Sequence, residues 1–162
     1  MKRIICIGNP YIPEDTAGPK VYKRLLQYTL PNDVEIIDGG LAGLDLLRFV
    51  EGAERVVFVD RVSGFGQPNS GKQDANCEIV VLDAANIASV AANRYDHAAG
   101  LAYLLHVLPE VCENPVPPTV LVGIEGHPDK RVIDKAAALA LEIAVAGSRQ
   151  NGPVVMNSLE VQ

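Results

Sequence analysis

The sequence predicts an α/β fold, a three-layer α/β/α sandwich around a mixed, mostly parallel five-stranded sheet. Residues 4–7 and 56–59 are apolar without alternation, and the second run ends at Asp60. Such runs are typical of strands buried on both faces of a parallel sheet. Helical segments separate the first three strands, as right-handed βαβ crossovers require. Residues 61–76 show no helical period, so the next strand is predicted to run antiparallel at the sheet edge.

The first part of the chain alternates strands with helices. In chain order we predict a strand at residues 4–7, a helix from near Asp15 or Thr16 to Leu25, a strand at 34–38, a short helix at 41–50 and a strand at 55–60. Gly8 allows the sharp turn after the first strand. Asp15 and Thr16 are good N-cap residues, and Pro19 then falls in the first helical turn, where its missing N–H is tolerated.

The second part of the chain adds two strands and further helices. In chain order we predict a strand at residues 77–82, a weak helix at 84–93, a helix at 97–108 that Asp96 caps and Pro109 ends, a strand at 119–125 and a helix at 130–146. Gly147 stops the last helix. We expect residues 1–147 to form one α/β domain and residues 148–162 to form a loosely held tail.

Composition narrows the classes of partner and compartment. The 162 residues carry a formal net charge of −6, and no Lys/Arg cluster is present, which argues against nucleic acid and anionic membranes as partners. The three cysteines are widely separated, which favours buried thiols over disulfides or a Cys-rich metal site. The chain opens directly on a strand and has no apolar run of membrane-spanning length. We expect a cytoplasmic monomer.

Three residues are candidates for a metal site. Asp15, Asp60 and His97 each lie where a predicted strand ends or a helix begins, on the side where the carboxyl ends of the strands open. Two carboxylates and an imidazole can bind Zn, Ni or Fe and leave positions open for substrate. Each residue also has a structural alternative, because Asp15 can cap a helix, an aspartate often ends a strand, and His97 can simply favour solvent.

Several other kinds of site lack support in the sequence. Gly8 opens neither a dinucleotide-binding nor a Walker-type glycine pattern, and no nucleophile elbow or H-E-x-x-H helix is present. His106 lies about two and a half helical turns after His97, so one helix cannot direct both at one ion. His127 follows the fifth strand and is therefore a second candidate at the edge of the site.

The motifs of the chain resemble those of the hydrogenase maturation endopeptidases. The resemblance covers nearly the whole chain except the tail. Five segments carry it: Gly8-Asn9 followed by Glu14-Asp15 and Gly18; residues 38–47; the strand ending in Asp60; His97-Ala98-Ala99-Gly100-Leu101; and Val122-Gly123-Ile124-Glu125.

This resemblance implies a reaction and a ligand set. Such proteases remove a C-terminal extension from the nickel-containing large subunit of nickel–iron hydrogenases. The resemblance implies that the metal ligands are Asp15, Asp60 and His97, and that the same residues form the catalytic site. The metal they bind would be the nickel that the precursor itself supplies. Soaked Zn²⁺ or Cd²⁺ could occupy the same trio. Glu14, Asp38 and Asn9 would support the ligands or shape their loops.

Some positions depart from the family pattern and leave alternatives open. The departures are Leu41, Tyr95, the order of the Glu14-Asp15 pair and Glu125-Gly126. They affect the choice of substrate more than the membership of the family. Two other functions are compatible with the same trio: a non-catalytic factor that binds nickel or the precursor, and a metallohydrolase of small substrates with a resident metal.

Overall fold

A computed structural model describes residues 1–41, 43–65, 77–87, 99–147 and 154–157. The strands are β1 (Lys2–Ile7), β2 (Val34–Gly40), β3 (Arg55–Val62), β4 (Glu78–Asp83), β5 (Thr119–Glu125) and β6 (Val154–Asn157). The α-helices with described bounds are α1 (Ala17–Leu25), α2 (Leu47–Val50), α3 (Ala99–Val111) and α4 (Lys130–Ala146). Short 3₁₀ helices lie at Pro13–Asp15 and Leu44–Leu46, and residues 84–87 are helical.

The strands form one mixed sheet in the order β2-β1-β3-β5-β4-β6. β1 pairs in parallel with β2 and β3, and β3 pairs in parallel with β5. β4 is antiparallel to β5, as the missing crossover helix predicts. The predicted α/β fold with a mostly parallel sheet is therefore confirmed, and all five predicted strands are present.

The sheet also contains a strand that the sequence did not predict. β6 lies within the segment predicted as a loose tail, and it pairs antiparallel with β4 over residues 154–157. β4 is consequently not the edge strand. Val154, Val155 and Met156 suit a strand, and the open side of β4 supplies backbone partners for them. The other residues of the predicted tail lie outside the described part of the chain.

Helices cover both faces of the sheet. Alternate residues of β1 and β3 point to opposite faces, so Ile4 and Val57 pack under α1 and α4, whereas Ile5 and Phe58 pack under α3. Arg24 of α1 donates a 2.6 Å hydrogen bond from Nε to Oδ1 of Asp134 in α4, which joins the two helices of one layer. The central strands are buried on both faces, as their uninterrupted apolar sequence predicts.

The last long helix follows its end signals closely. α4 occupies the predicted residues 130–146. The N-cap carboxylate of Asp129 accepts a 2.9 Å hydrogen bond from the backbone N–H of Val132. Gly147 ends the helix with a φ of 85°, a left-handed conformation that favours glycine.

The predicted ends of other elements need correction. Pro109 does not end α3, which continues to Val111 and closes with a 2.9 Å bond from the Cys112 N–H to the Leu108 oxygen. The buried apolar face of α3 holds this last turn despite the backbone donor that Pro109 lacks. β3 runs two residues beyond Asp60, because Val62 still pairs with Glu125. The predicted starts at Asp96 and His97, and residues 88–93 of the weak helix, lie outside the described residues.

The short helix predicted at residues 41–50 is split. A 3₁₀ turn at Leu44–Leu46 leads into α2 at Leu47–Val50, and Gly52 follows with a φ of 73°. Leu46 and Val50 are buried, so the apolar spacing correctly indicated which side chains face the core. The segment is nevertheless not one continuous α-helix. Residue 42 lies outside the described part.

The predicted burial of Cys6 and Cys77 is confirmed, and Cys112 is partly buried. Burial raises the pKa of the Cys6 thiol strongly, and the nearby Asp38 carboxylate raises it further, so Cys6 is an unreactive core residue. Within the residues that the structure describes, no helix combines the length and the apolar character needed to cross a membrane.

We expect Leu104→Ala to lower the free energy of unfolding by about 2–5 kcal/mol, because Leu104 is completely buried between α3 and the sheet. Leu26→Ala removes the same side chain from a position that is 58% exposed and is the matched control. Urea unfolding followed by circular dichroism measures both. Equal losses in the two variants would contradict the packing described for α3.

Candidate active site

Two of the three candidate residues lie at the carboxyl edge of the parallel strands. Asp60 is in β3, and Asp15 ends the 3₁₀ turn that follows β1. β1 and β3 are adjacent and parallel, with Cys6 beside Val59, so the chain leaves both strands at the same edge. The predicted convergence of Asp15 and Asp60 on one edge of the sheet is therefore present.

Among the residues whose side chains the structure describes, Asp60 is the acidic residue that is buried, and only 5% of its surface is exposed. Its side chain shares a sheet face with Phe58 and Val62, because alternate strand residues point the same way. Both neighbours belong to the apolar cluster under α3. The Oδ1 atom of Asp60 accepts a 2.7 Å hydrogen bond from the backbone N–H of Arg61. Asp60 thus presents a carboxyl group on the α3 side, at the end of the core.

The surroundings of Asp60 disfavour its negative charge. Burial raises the pKa of the carboxyl from its ordinary 3.8 to about 8, and the negative charge of Asp15 acts in the same direction. The hydrogen bond from Arg61 N–H and the Arg61 side-chain charge oppose this rise in pKa. Near neutral pH and without a nearby cation, the protonated form of Asp60 is therefore favoured. A cation beside Asp15 and Asp60 would favour the ionised form of Asp60 instead.

Asp15 holds its own loop together rather than capping α1. Its Oδ2 atom accepts a 2.9 Å hydrogen bond from the backbone N–H of Asn9. The Asn9 side chain in turn accepts from Tyr11 N–H at 3.0 Å, so Asn9 shapes the loop as expected. The N-cap position of α1 belongs to Thr16, without a capping hydrogen bond from its side chain. The alternative in which Asp15 serves only as a helix cap is therefore wrong.

Two glycines let this loop fold tightly against β1. Gly8 has a φ of 147°, and a Cβ there would lie 2.5 Å from the backbone oxygen of Asp15. A Cβ on Gly18 would collide with the backbone oxygen of Ile7. The start of α1 therefore sits directly on the end of β1, and this contact fixes the position of Asp15 in the loop between them.

The histidine of the predicted trio is not among the described residues. His97, with Tyr95 and Asp96, precedes the described start of α3 at Ala99. α3 packs on the sheet face that carries Asp60, since Leu101, Leu104 and Leu108 belong to the same cluster as Phe58. Whether His97 completes the site stays a prediction. Within the described residues there is no group of three His, Cys, Asp or Glu side chains that could hold a metal.

The other histidines take different positions. His106 is exposed on α3. His127 is also exposed, directly after the carboxyl end of β5, the strand beside β3. It therefore lies at the predicted edge of the sheet and remains a candidate at the margin of the site.

Glu125 has a role that the sequence reasoning missed. This last residue of β5 accepts hydrogen bonds from the backbone N–H groups of Gly64, at 2.6 Å, and Phe65, at 3.0 Å. Glu125 thereby ties the chain beyond Asp60 to the neighbouring strand. The sequence contains a signal for this role, because Glu125 is an acidic residue at the end of a strand, the same pattern that identified Asp60.

Comparison with known proteins assigns the chain to a family. A family model described as hydrogenase maturation protease matches residues 19–131, a segment that includes Asp60 and His97. The hydrogenase 2 maturation protease of Escherichia coli (strain K12) is 25% identical over 156 residues, which span 92% of this chain and 91% of that protein.

Solved structures share the fold. An endopeptidase from Escherichia coli superposes with a TM-score of 0.67 at 24% identity, covering 99% of this chain and 100% of the other. A [NiFe] hydrogenase maturation protease from Thermococcus kodakarensis KOD1 superposes with a TM-score of 0.63 at 21% identity, covering 90% of each chain. The mostly parallel sheet with acidic side chains at its carboxyl edge is the arrangement in which α/β proteins commonly place their functional sites. The chain belongs to the hydrogenase maturation protease family and is an endopeptidase.

We expect Asp60→Asn to stabilise the metal-free protein increasingly as pH rises. The folded-state pKa of Asp60, about 8, lies above its unfolded value, so the folded state binds the extra proton and loses stability as pH rises from about 4 to about 8. A tenfold change in the proton affinity of one group corresponds to about 1.4 kcal/mol, so the variant should gain up to several kcal/mol by pH 8.5 relative to pH 5.

Melting temperatures in the presence of chelator at the two pH values measure this effect. Glu110→Gln removes an exposed carboxylate from α3 and is the control, which should shift the melting temperature equally at both pH values. If wild type and Asp60→Asn have the same pH dependence, the surroundings of Asp60 do not suppress its charge.

Proposed function

We propose that this protein removes the C-terminal extension of a nickel-loaded precursor of a nickel–iron hydrogenase large subunit. Membership of the family supports the class of substrate. The name of the Escherichia coli relative supports a hydrogenase as the protein that is matured. The nickel, in this proposal, is part of the substrate and serves as the recognition element.

The observation that carries the proposal is the buried Asp60 carboxyl beside Asp15. Its pKa of about 8 describes a position where burial and the Asp15 charge outweigh the stabilising effect of Arg61, so a negative charge there is only partly compensated. A divalent cation presented by the precursor would supply that charge and replace the proton. Carboxylate and imidazole groups suit Ni²⁺, so Asp15 and Asp60, with His97 as the proposed third donor, fit this role.

The reaction would follow from holding the scissile peptide beside these groups. A bound metal polarises a peptide carbonyl or lowers the pKa of a water. Asp15 and Asp60 would fix the position of the substrate through its nickel, and either carboxylate can accept a proton from the attacking water. Half-buried Asp15 opens toward solvent, whereas Asp60 closes the inner side of the site. We further propose that the protein acts as a cytoplasmic monomer.

We expect the purified protein to be largely metal-free, because the proposed nickel arrives with the precursor. Elemental analysis by mass spectrometry after purification without chelator measures the metal content. Added Zn²⁺ or Cd²⁺ should still bind to the trio, with oxygen and nitrogen distances of about 2.0–2.2 Å for zinc. One tightly held zinc per purified chain would favour the alternative, a metallohydrolase of small substrates.

We also expect Asp60→Asn and His97→Ala to abolish trimming of a nickel-loaded precursor while leaving the domain folded. Asparagine keeps the shape of Asp60 but removes the charge that would bind a cation, so Asp60→Asn is the sharper test. The assay follows the loss of the precursor's extension by mass spectrometry, with a melting curve for each variant.

His106→Ala is the matched control for His97→Ala, because His106 is an exposed histidine of α3. It should trim at the wild-type rate. Normal trimming by Asp60→Asn would refute the role of Asp60 in binding metal. If binding of the precursor is intact but wild type does not trim it, the protein is the non-catalytic factor instead.

A further inference from the structure

Four of the ten large apolar side chains that are exposed in the described part of the chain lie on two neighbouring loops. Tyr11 and Ile12 follow β1 and are 92% and 43% exposed. Leu41 and Leu44 follow β2 and are 67% and 51% exposed. We call these four residues the rim patch. Single exposed apolar residues are common, but a group of them beside a site indicates an interaction surface.

The two loops that carry the rim patch leave the sheet side by side. β1 and β2 are adjacent parallel strands, and the Gly8 N–H donates a 2.8 Å hydrogen bond to the Gly40 oxygen where the loops begin. Asp15 lies on the first of these loops, three residues after Ile12. The rim patch is therefore continuous with the candidate active site.

The loop backbone holds these side chains outward. The Ile12 N–H donates to the Asn9 oxygen at 3.2 Å, so the turn that presents Tyr11 and Ile12 is bonded internally. In the 3₁₀ turn of the second loop, Leu46 is the core residue, with 1% exposed, whereas Leu44 faces out. The core of this protein does not need the four side chains.

The charge of the same loops specifies the partner further. Residues 8–19 and 38–47 contain four acidic residues and no Lys or Arg: Glu14, Asp15, Asp38 and Asp45. Except for half-buried Asp15, these carboxylates are exposed. The exposed cations Lys20 and Arg48 directly follow the two segments, so the acidic residues exceed the basic ones by four to two here. An apolar surface bordered by a net negative charge is complementary to a segment that combines apolar with basic side chains.

We propose that the rim patch binds an apolar, basic segment of the precursor and so aligns the scissile peptide with Asp15 and Asp60. This inference rests on the proposed function, since it takes the precursor as the partner. The segment would lay its apolar side chains on Tyr11, Leu41 and Leu44, and its cations would face the carboxylates of the two loops. Binding at the rim patch contributes affinity, whereas the chemistry remains with the carboxylates of the site.

The experiment separates docking from catalysis by steady-state trimming of the nickel-loaded precursor. Tyr11→Ser and Leu44→Ser, each alone and combined, remove apolar surface from the rim patch. We expect the double variant to raise KM about tenfold or more with kcat within about twofold of wild type, because the lost contact exists before and during the reaction.

Leu26→Ser and Val145→Ser are the matched controls, since these side chains are 58% and 44% exposed but lie at the edge of the sheet opposite to the two loops. Leu26 directly follows α1, and Val145 lies in the last turn of α4 beside Arg55, the first residue of β3. Both should leave KM unchanged. Kd values for the precursor, measured by calorimetry, should follow the KM values. If the wild-type protein binds the precursor without trimming it, calorimetry still measures docking. The experiment therefore distinguishes failure of the proposed protease activity from failure of this inference.

The charge of the partner segment is tested separately. Asp45→Asn should raise KM and weaken its dependence on salt, whereas Glu110→Gln on α3 should change neither. A synthetic peptide of alternating Leu and Lys should inhibit trimming competitively, and the matched peptide of Leu and Glu should not.

Three results would overturn the inference. The first is an unchanged KM and Kd in the double variant. The second is a fall in kcat at constant KM, which would place these side chains in the chemistry or in the stability of the loop. The third is a wild-type dimer in analytical ultracentrifugation that Tyr11→Ser and Leu44→Ser dissociate, because the rim patch would then bind a second copy of this chain.

Discussion

β1 and β3 pair in parallel from Lys2 with Arg55 to Cys6 with Val59, and the arrangement of the site depends on this pairing. Parallel neighbours deliver their following segments to the same edge of the sheet, so Asp60 and the loop with Asp15 meet without a direct bond between them. Helices on both faces bury the two strands. That burial gives Asp60 its low-dielectric surroundings.

The same packing leaves a negative charge on Asp60 only partly compensated by the described residues, because burial outweighs the opposing effect of Arg61. A carboxyl group is 5% exposed beside a second carboxylate, and its pKa rises to about 8. Keeping an ionised group there costs free energy unless a cation compensates it. Under the proposed function, the metal ion of the substrate would displace the Asp60 proton and compensate its charge, which a substrate without the ion could not do.

The loops after β1 and β2 carry the proposed docking surface next to the site, and Asp15 on the first loop belongs to both. Gly8 and Gly18 hold the first loop against the end of β1, while the Gly8–Gly40 hydrogen bond aligns the second loop with it. The exposed side chains of the rim patch can therefore vary without disturbing the core. Leu41 lies on this exposed surface, where a substitution changes contacts with a partner and leaves the core intact.

The sequence by itself determined the order of the elements, the parallel centre of the sheet and the candidate acids, because uninterrupted apolar strands, cap residues and strand-end aspartates are local signals. α4 shows how far such signals reach, since Asp129 and Gly147 mark its ends correctly. Local signals could not decide pairing between distant segments. Tertiary structure alone added β6 beside β4, extended β3 past Asp60 to Val62, and kept α3 helical through Pro109. It also placed Glu125 against Gly64 and raised the pKa of Asp60, because hydrogen bonds and burial between segments far apart in the chain depend on packing that no local pattern records.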